Sequence, residues 1–346
     1  MLWRRGEEAM KKIAVVTFLF FFQSVVLSAG VIKKTKGEIT FKGLGKFSTA
    51  REEKISIDRS FNQSRSDFKG QGIAGGLAAK TVLRSGDFSE IIDLPLRVIY
   101  QLDNKKKEFA ILPIEKLKEK ETGAATFEPQ EAEGQPQRSD IRVIRSEFKV
   151  DSPDEEKLIN QFNCRKYLIT WLTEWENMRT GVKGRELLST EVWTTPLSGR
   201  ILQAQKEEAR FSGEYMKVLG VESPAKEKEI LGQAWLNLLS QLKQGEGAPR
   251  LETKSVAREM KKIEGYPVLI SGQFFSSTEG GEEEAKQAGG ARGLVGGLAK
   301  SVLKKKPKEG EDKEPAMTYY FELVELNLAS LSEADFQVPA GYKKKG

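Results

Sequence analysis

The sequence has no histidine and a single cysteine in 346 residues. Without histidine there can be no serine–histidine or cysteine–histidine nucleophile pair, no imidazole general base and no histidine-ligated metal. One cysteine, Cys164, excludes an internal disulfide, a thiolate zinc site and an iron–sulfur cluster. Glycine-rich stretches occur, but none ends in the Gly-Lys-Ser/Thr of a phosphate loop. Lysines are scattered rather than striped with aromatics, so no nucleic-acid partner is expected. No cofactor is expected either, and the chain reads as a non-enzyme. What remains is a nearly charge-balanced chain, with a formal net charge of +6, 38% hydrophobic and 31% charged residues, which is apolar enough to bury a core.

Arg4, Arg5, Lys11 and Lys12 precede 17 uncharged residues, Ile13 to Ala29, centred on Val15–Phe22. Basic residues followed by a short apolar run and then by small residues are the pattern of a secretory signal. Residues 1–29 are therefore expected to be a signal peptide cleaved near 28–30, and Met10 offers an alternative start. The run carries Gln23 and Ser24 and is short for a membrane span, which needs about 20 apolar residues. No cysteine closes it for lipid attachment, so the expected product is a soluble exported protein of the periplasm, one domain over 30–346.

Beyond Lys36 the hydrophobic period is closer to two than to 3.6, which predicts antiparallel strands with one wet face. Ile39, Phe41 and Phe47 flank Gly43 and Gly45; Glu53–Phe61 reads as a further strand; Ile91–Tyr100 and Glu108–Ile114 flank a turn over Leu102–Lys106. Ile141–Val150 reads as a strand with one apolar face, and Cys164–Trp175 and Arg185–Thr195 as a pair joined across Asn177–Gly184. At Ile201 the period lengthens. Ile201, Ala204, Phe211 and Tyr215 predict one amphipathic helix, and Ser223-Pro224 followed by Ile230, Trp235, Leu238 and Leu242 a second. Val256–Ile263 fits either period, and Val268–Ser276 and Met317–Leu328 read as strands. Two charged, glycine-containing insertions, about 116–140 and 279–315, are expected to be flexible. The fold class is mainly β with helices (α+β): an antiparallel sheet covered by amphipathic helices.

Two constellations bear on function. Trp171, Trp193, Phe211, Tyr215, Trp235, Leu238 and Leu242 fall on strands and helices adjacent in sequence, and they serve equally as an ordinary core or as the lining of an apolar ligand cavity. Glu174, Glu176, Glu186 and Glu191 offer carboxylate pairs of the kind a glycosidase needs, since every second residue of a strand shares a face, but a chain this charged also produces them by chance. A basic, leucine-containing segment, Gly293–Lys306, suits transient contact with an anionic membrane surface.

The ending Leu331-Ser-Glu-Ala-Asp335-Phe336-Gln-Val338-Pro339-Ala-Gly341-Tyr342-Lys343 resembles the closing signature of an uncharacterised exported bacterial domain family with the fold of the lipoprotein carriers LolA and LolB. Asn163-Cys164-Arg165-Lys166-Tyr167 and Glu191-Val192-Trp193 are similar to two of its strands. The resemblance implies an incomplete antiparallel β-barrel wrapped over helices, with a cavity for an acyl chain or other lipid. The expected function is then a carrier or binder of an apolar ligand; the alternative is a cell-envelope interaction protein whose barrel is filled by its own side chains.

Overall fold

The computed structural model describes residues 28–72, 85–116, 141–221, 253–279 and 314–345. Its first half is a meander of hairpins, β1 (Ser28–Phe41), β2 (Gly45–Ile55), β3 (Arg59–Gly70), β4 (Gly86–Asp93), β5 (Val98–Asp103) and β6 (Glu108–Pro113). Its second half begins with β7 (Ile141–Asp151), β8 (Glu156–Ile159), β9 (Phe162–Asn177) and β10 (Lys183–Thr195). Helix α1 (Gly199–Val218), helix α2 (Thr253–Met260), β11 (Tyr266–Glu279), β12 (Met317–Leu331), a 3₁₀ turn (Glu333–Phe336) and β13 (Lys343–Lys344) complete it.

The thirteen strands of the described residues belong to one sheet, ordered β13-β6-β5-β4-β3-β2-β1-β12-β11-β10-β9-β7, with β8 on β9. Pairing β1 with β12 welds the two halves together, in register from Ser28↔Leu331 to Phe41↔Met317 with one bulge at Lys34/Thr35. Among the described strands only β13, which runs beside β6, is parallel to its neighbour. The terminal strands of this path do not meet, so the sheet is open. Among the described residues no helix is long and apolar enough to cross a membrane.

Period-two reasoning located most of these strands and misplaced two turns. Glu53–Phe61 is not one strand, because Ser56 N–H closes onto Arg59 O at 2.8 Å and Ser56 Oγ accepts the Arg59 N–H at 3.1 Å, folding β2 back into β3. Ile91–Tyr100 is likewise broken over Leu94–Arg97: Pro95 has no N–H for a ladder, and Asp93 Oδ1 accepts the Leu96 N–H at 2.9 Å. β7 lies where Ile141–Val150 was read, but as an edge strand. A bulge between Val143 and Arg145 turns Val143 and Ile144 outward, and of its apolar residues only Val150 is buried. β9 pairs with β10 as expected, in register from Lys183↔Glu176 to Thr194↔Arg165. Val256–Ile263, which fits either period, is helical as far as Met260. The second expected helix, the 116–140 and 279–315 insertions apart from their ends, and Gly293–Lys306 lie outside the described residues.

Both sides of β4 and β5 are buried, by different parts of the chain. On one side Ile92 and Ile99 join Phe211, Tyr215, Val218 and Leu219 of α1. On the other, Ile91, Leu102 and Tyr100 join Leu331, Phe336, Val338 and Tyr342 of the carboxy-terminal segment. That segment carries the closing signature, and Ser332, Asp335, Phe336, Gly341 and Tyr342 each have a structural task in it. Ser332 N–H donates to Asp335 Oδ2 at 2.9 Å, closing the 3₁₀ turn, and Lys54 Nζ donates to Asp335 Oδ1 at 2.8 Å. Phe336 is buried, Gly341 takes a left-handed φ of 87°, and Tyr342 Oη donates to Asn104 Oδ1 at 2.9 Å. The tail is a clasp that ties β12 to β2 and to the β5–β6 turn.

Lys54, then the Ser332 N–H, hold the Asp335 carboxyl down at about 2. A carboxyl depressed in the folded state contributes stability above its unfolded value of about 3.9 and loses it as pH falls towards the folded value. Urea titrations between pH 5 and pH 2 are therefore expected to show an acid-dependent loss, on the order of 1 kcal/mol, that is absent from Asp335→Asn. Equal slopes in the two proteins would remove Asp335 as the clasp.

Candidate functional site: a cavity between helix α1 and the sheet

Helix α1 begins after Pro196 and Ser198 and buries Ile201, Ala204, Glu207 and Phe211, a spacing of three, three and four that fits one helical stripe. Ile201 and Ala204 pack with Val31, Trp193, Val268, Leu323 and Leu326. Further along, Phe211 packs with Leu94 and Ile114 and stacks on Tyr215, ring centroids 6.2 Å apart and 8° from parallel. Between these two anchorages the helix and the sheet leave a cavity of about 510 Å³. That size lies within the range typical of ligand sites, about 300–1,000 Å³.

The strand register explains what lines it. Ile270↔Phe321↔Gly37↔Thr49 forms one cross-strand row, and Leu323↔Thr35↔Arg51↔Ser64 the next; residues so paired share a face. The β11 and β12 end of each row is apolar, and Ile55, Val268 and Phe211 add to it. Two strand glycines make this floor possible. A Cβ on Gly37 would overlap the Phe321 ring, and a Cβ on Gly272 the Tyr319 ring, so each aromatic lies flat over the backbone of the facing strand. Tyr319 is also hydrogen-bonded to Thr190, and its burial pushes the phenol up to about 12.

A third row supplies charge. Lys33 Nζ lies 2.7 Å from Glu53 Oε2 on β2 and 2.9 Å from Glu208 Oε1 on α1, and Tyr266 Oη donates to the Glu208 carboxylate at 3.2 Å. Burial works against the ammonium, but the Glu208 and Glu53 carboxylates hold it above the ordinary lysine range. Burial, only partly offset by Lys33, raises the Tyr266 phenol, which stays protonated and free to donate. Lys36 and Arg51 line the cavity too, half exposed and paired with Glu322 at 2.9 Å and Glu53 at 3.4 Å.

Of the residues expected to line a cavity, Phe211 does so and Tyr215 stacks on it. Trp171 and Trp193 do not line the cavity. Trp171 pairs with Leu188 and Trp193 with Lys166 on a continuous register, and that odd offset sends the two indoles to opposite faces of the sheet. Trp171 meets Phe148 edge-on beside Tyr167 and Ile169; Trp193 lies under the Lys157 and Lys166 ammonium groups. Trp235, Leu238 and Leu242 lie outside the described residues. Glu174, Glu176 and Glu191 are engaged with Arg185, Arg142 and Lys166, and none of them, nor Glu186, lines the cavity. Among the described residues no group of three metal-ligating side chains is assembled. Cys164 is buried, and desolvation raises its thiol to about 11, which keeps it protonated and unreactive near neutrality.

Comparison with family models, curated proteins and solved structures finds no match to this chain, so the site is read from its own geometry.

Because folded Lys33 titrates above its unfolded value, its contribution is complete below about pH 10.4 and is lost only at higher pH. Lys33→Met leaves Glu53 and Glu208 facing one another and is expected to cost about 2–3 kcal/mol in urea unfolding at pH 7. Adding Glu208→Gln should recover part of that loss, a coupling that independent sites would not give.

Proposed function

We propose that the protein is an exported carrier or binding module for a lipid or other apolar ligand, built as a LolA/LolB-like incomplete barrel and acting without a catalytic residue. The observation that carries this reading is the cavity of about 510 Å³ beneath α1, with Ile270, Phe321 and Leu323 as its apolar floor and Lys33, Arg51 and Glu208 among the charged groups that line it. An acyl chain needs such a dry floor and gains about 0.8 kcal/mol for each methylene removed from water. The amino-terminal basic and apolar pattern supports export, and the open antiparallel sheet with a helix across it is compatible with the carrier fold. In this reading the ligand and a transient membrane surface are the partners.

The alternative is a cell-envelope interaction module whose interior is filled by its own side chains. The burial of Trp171 and Trp193, 3% and 8% exposed, favours it, since neither indole is left to line a void.

Native mass spectrometry on protein purified without detergent from a membrane-containing host separates the two. A stoichiometric adduct of acyl-chain mass is expected, and Ile270→Glu should lose it while keeping a cooperative thermal transition, because Ile270 is only partly buried. Bare protein in both samples would favour the filled module.

A further inference from the structure

The rows that floor the cavity continue across the sheet and change character. Leu323↔Thr35↔Arg51↔Ser64 runs on to Phe88, and Lys33↔Glu53 runs on to Asn62, Glu90 and Gln101. One face thus passes from apolar side chains on β11 and β12 to amides, a hydroxyl and a carboxylate on β3, β4 and β5. There a second cavity of about 490 Å³ opens, and Ser64 lines both cavities.

Three features mark this second cavity as built for a hydroxyl-rich group. Asn62 Oδ1 is buried and has no hydrogen-bond partner among the described residues, a state that costs the free protein the desolvation of an acceptor. Phe88 is 53% exposed yet anchored: a Cβ on Gly86 would overlap its ring, so one face is backed by that glycine and the other is open. Amide and hydroxyl groups at Asn62, Ser64 and Gln101 both donate and accept, which matches the dual character of sugar hydroxyls, and an aromatic face suits the C–H side of a pyranose. An anionic head is disfavoured, because Glu90, Asp103 and Glu108 outnumber Lys106 and Lys345 in the lining.

We infer that the second cavity is a saccharide subsite, taking the neutral sugar head of a glycolipid whose acyl chain lies beneath α1. The inference rests on the reading of the first cavity as an apolar site. Asn62 is then a residue whose unsatisfied oxygen costs stability in the free protein and is satisfied by a ligand hydroxyl.

The test is calorimetric titration, below micelle formation, with dodecyl maltoside, dodecanoate and maltose. Dodecyl maltoside should bind about tenfold or more tightly than dodecanoate. Asn62→Leu and Phe88→Ala should each abolish that margin and leave dodecanoate binding unchanged, and Asn62→Leu should leave the urea midpoint equal or higher, since it removes an orphaned acceptor. Equal binding of the two amphipaths, or a margin that survives both substitutions, overturns the saccharide subsite and leaves the acyl cavity standing. Binding of maltose but of neither amphipath, lost in Asn62→Leu, overturns the glycolipid assignment in favour of a free saccharide. No binding of any of the three overturns both readings.

Discussion

Lys33 is the constraint on which the rest of this structure turns. Its ammonium is held between Glu53 of the sheet and Glu208 of α1, with Tyr266 closing the group. A charge in so sheltered a place is tolerated only when it is paired and hydrogen-bonded, so the helix cannot slide along the sheet without leaving a carboxylate or an ammonium unpaired. Apolar contacts at Ile201 and Phe211 supply attraction but little direction, whereas the ion pair fixes position. The gap left between those two contacts is the cavity, and its location is a consequence of where the lysine stands.

The second constraint is that one sheet is buried on two sides at once. β4 and β5 present Ile92 and Ile99 to α1 and Ile91 and Leu102 to the carboxy-terminal clasp. Neighbouring residues on these strands therefore serve different cores, and the polar rows are displaced to the part of the helix-side face that α1 leaves uncovered. Asn62, Glu90 and Gln101 thereby come to line the continuation of an apolar floor. The clasp also holds the strands that form the polar end, through Asp335 on Lys54 and Tyr342 on Asn104.

Sequence pattern located the strands well where the alternation was clean, as in Cys164–Trp175 and Arg185–Thr195, and poorly where a short polar turn mimicked it. Ser56 and Asp93 end strands through hydrogen bonds from their side chains, which a count of apolar positions does not register. The aromatic set was legible as a group but not as a site. Trp171 and Trp193 look like neighbours in a list of residues; the five register steps from Leu188, opposite Trp171, to Trp193 put them on opposite faces. Gly37 and Gly272 were the usable signal for the cavity floor, since a glycine inside a strand marks a close approach, here of an aromatic ring. Nothing local pointed to Lys33, whose partner on α1 lies 175 residues away.

By itself the sequence determined what chemistry is missing and which stretches are extended or helical. Composition settles the first outright, and the period of hydrophobic side chains reports the second through contacts within a few residues. Only the tertiary structure decided which face each strand turns inward, that β1 joins β12 across nearly the whole described chain, and that a polar row ends beside an apolar floor. The reason is that faces are set by register and by bulges such as those at Lys34/Thr35 and Trp193/Thr194, where one extra residue reverses the alternation. Such shifts arise from the fit between strands distant in sequence, and no window along a single strand contains them.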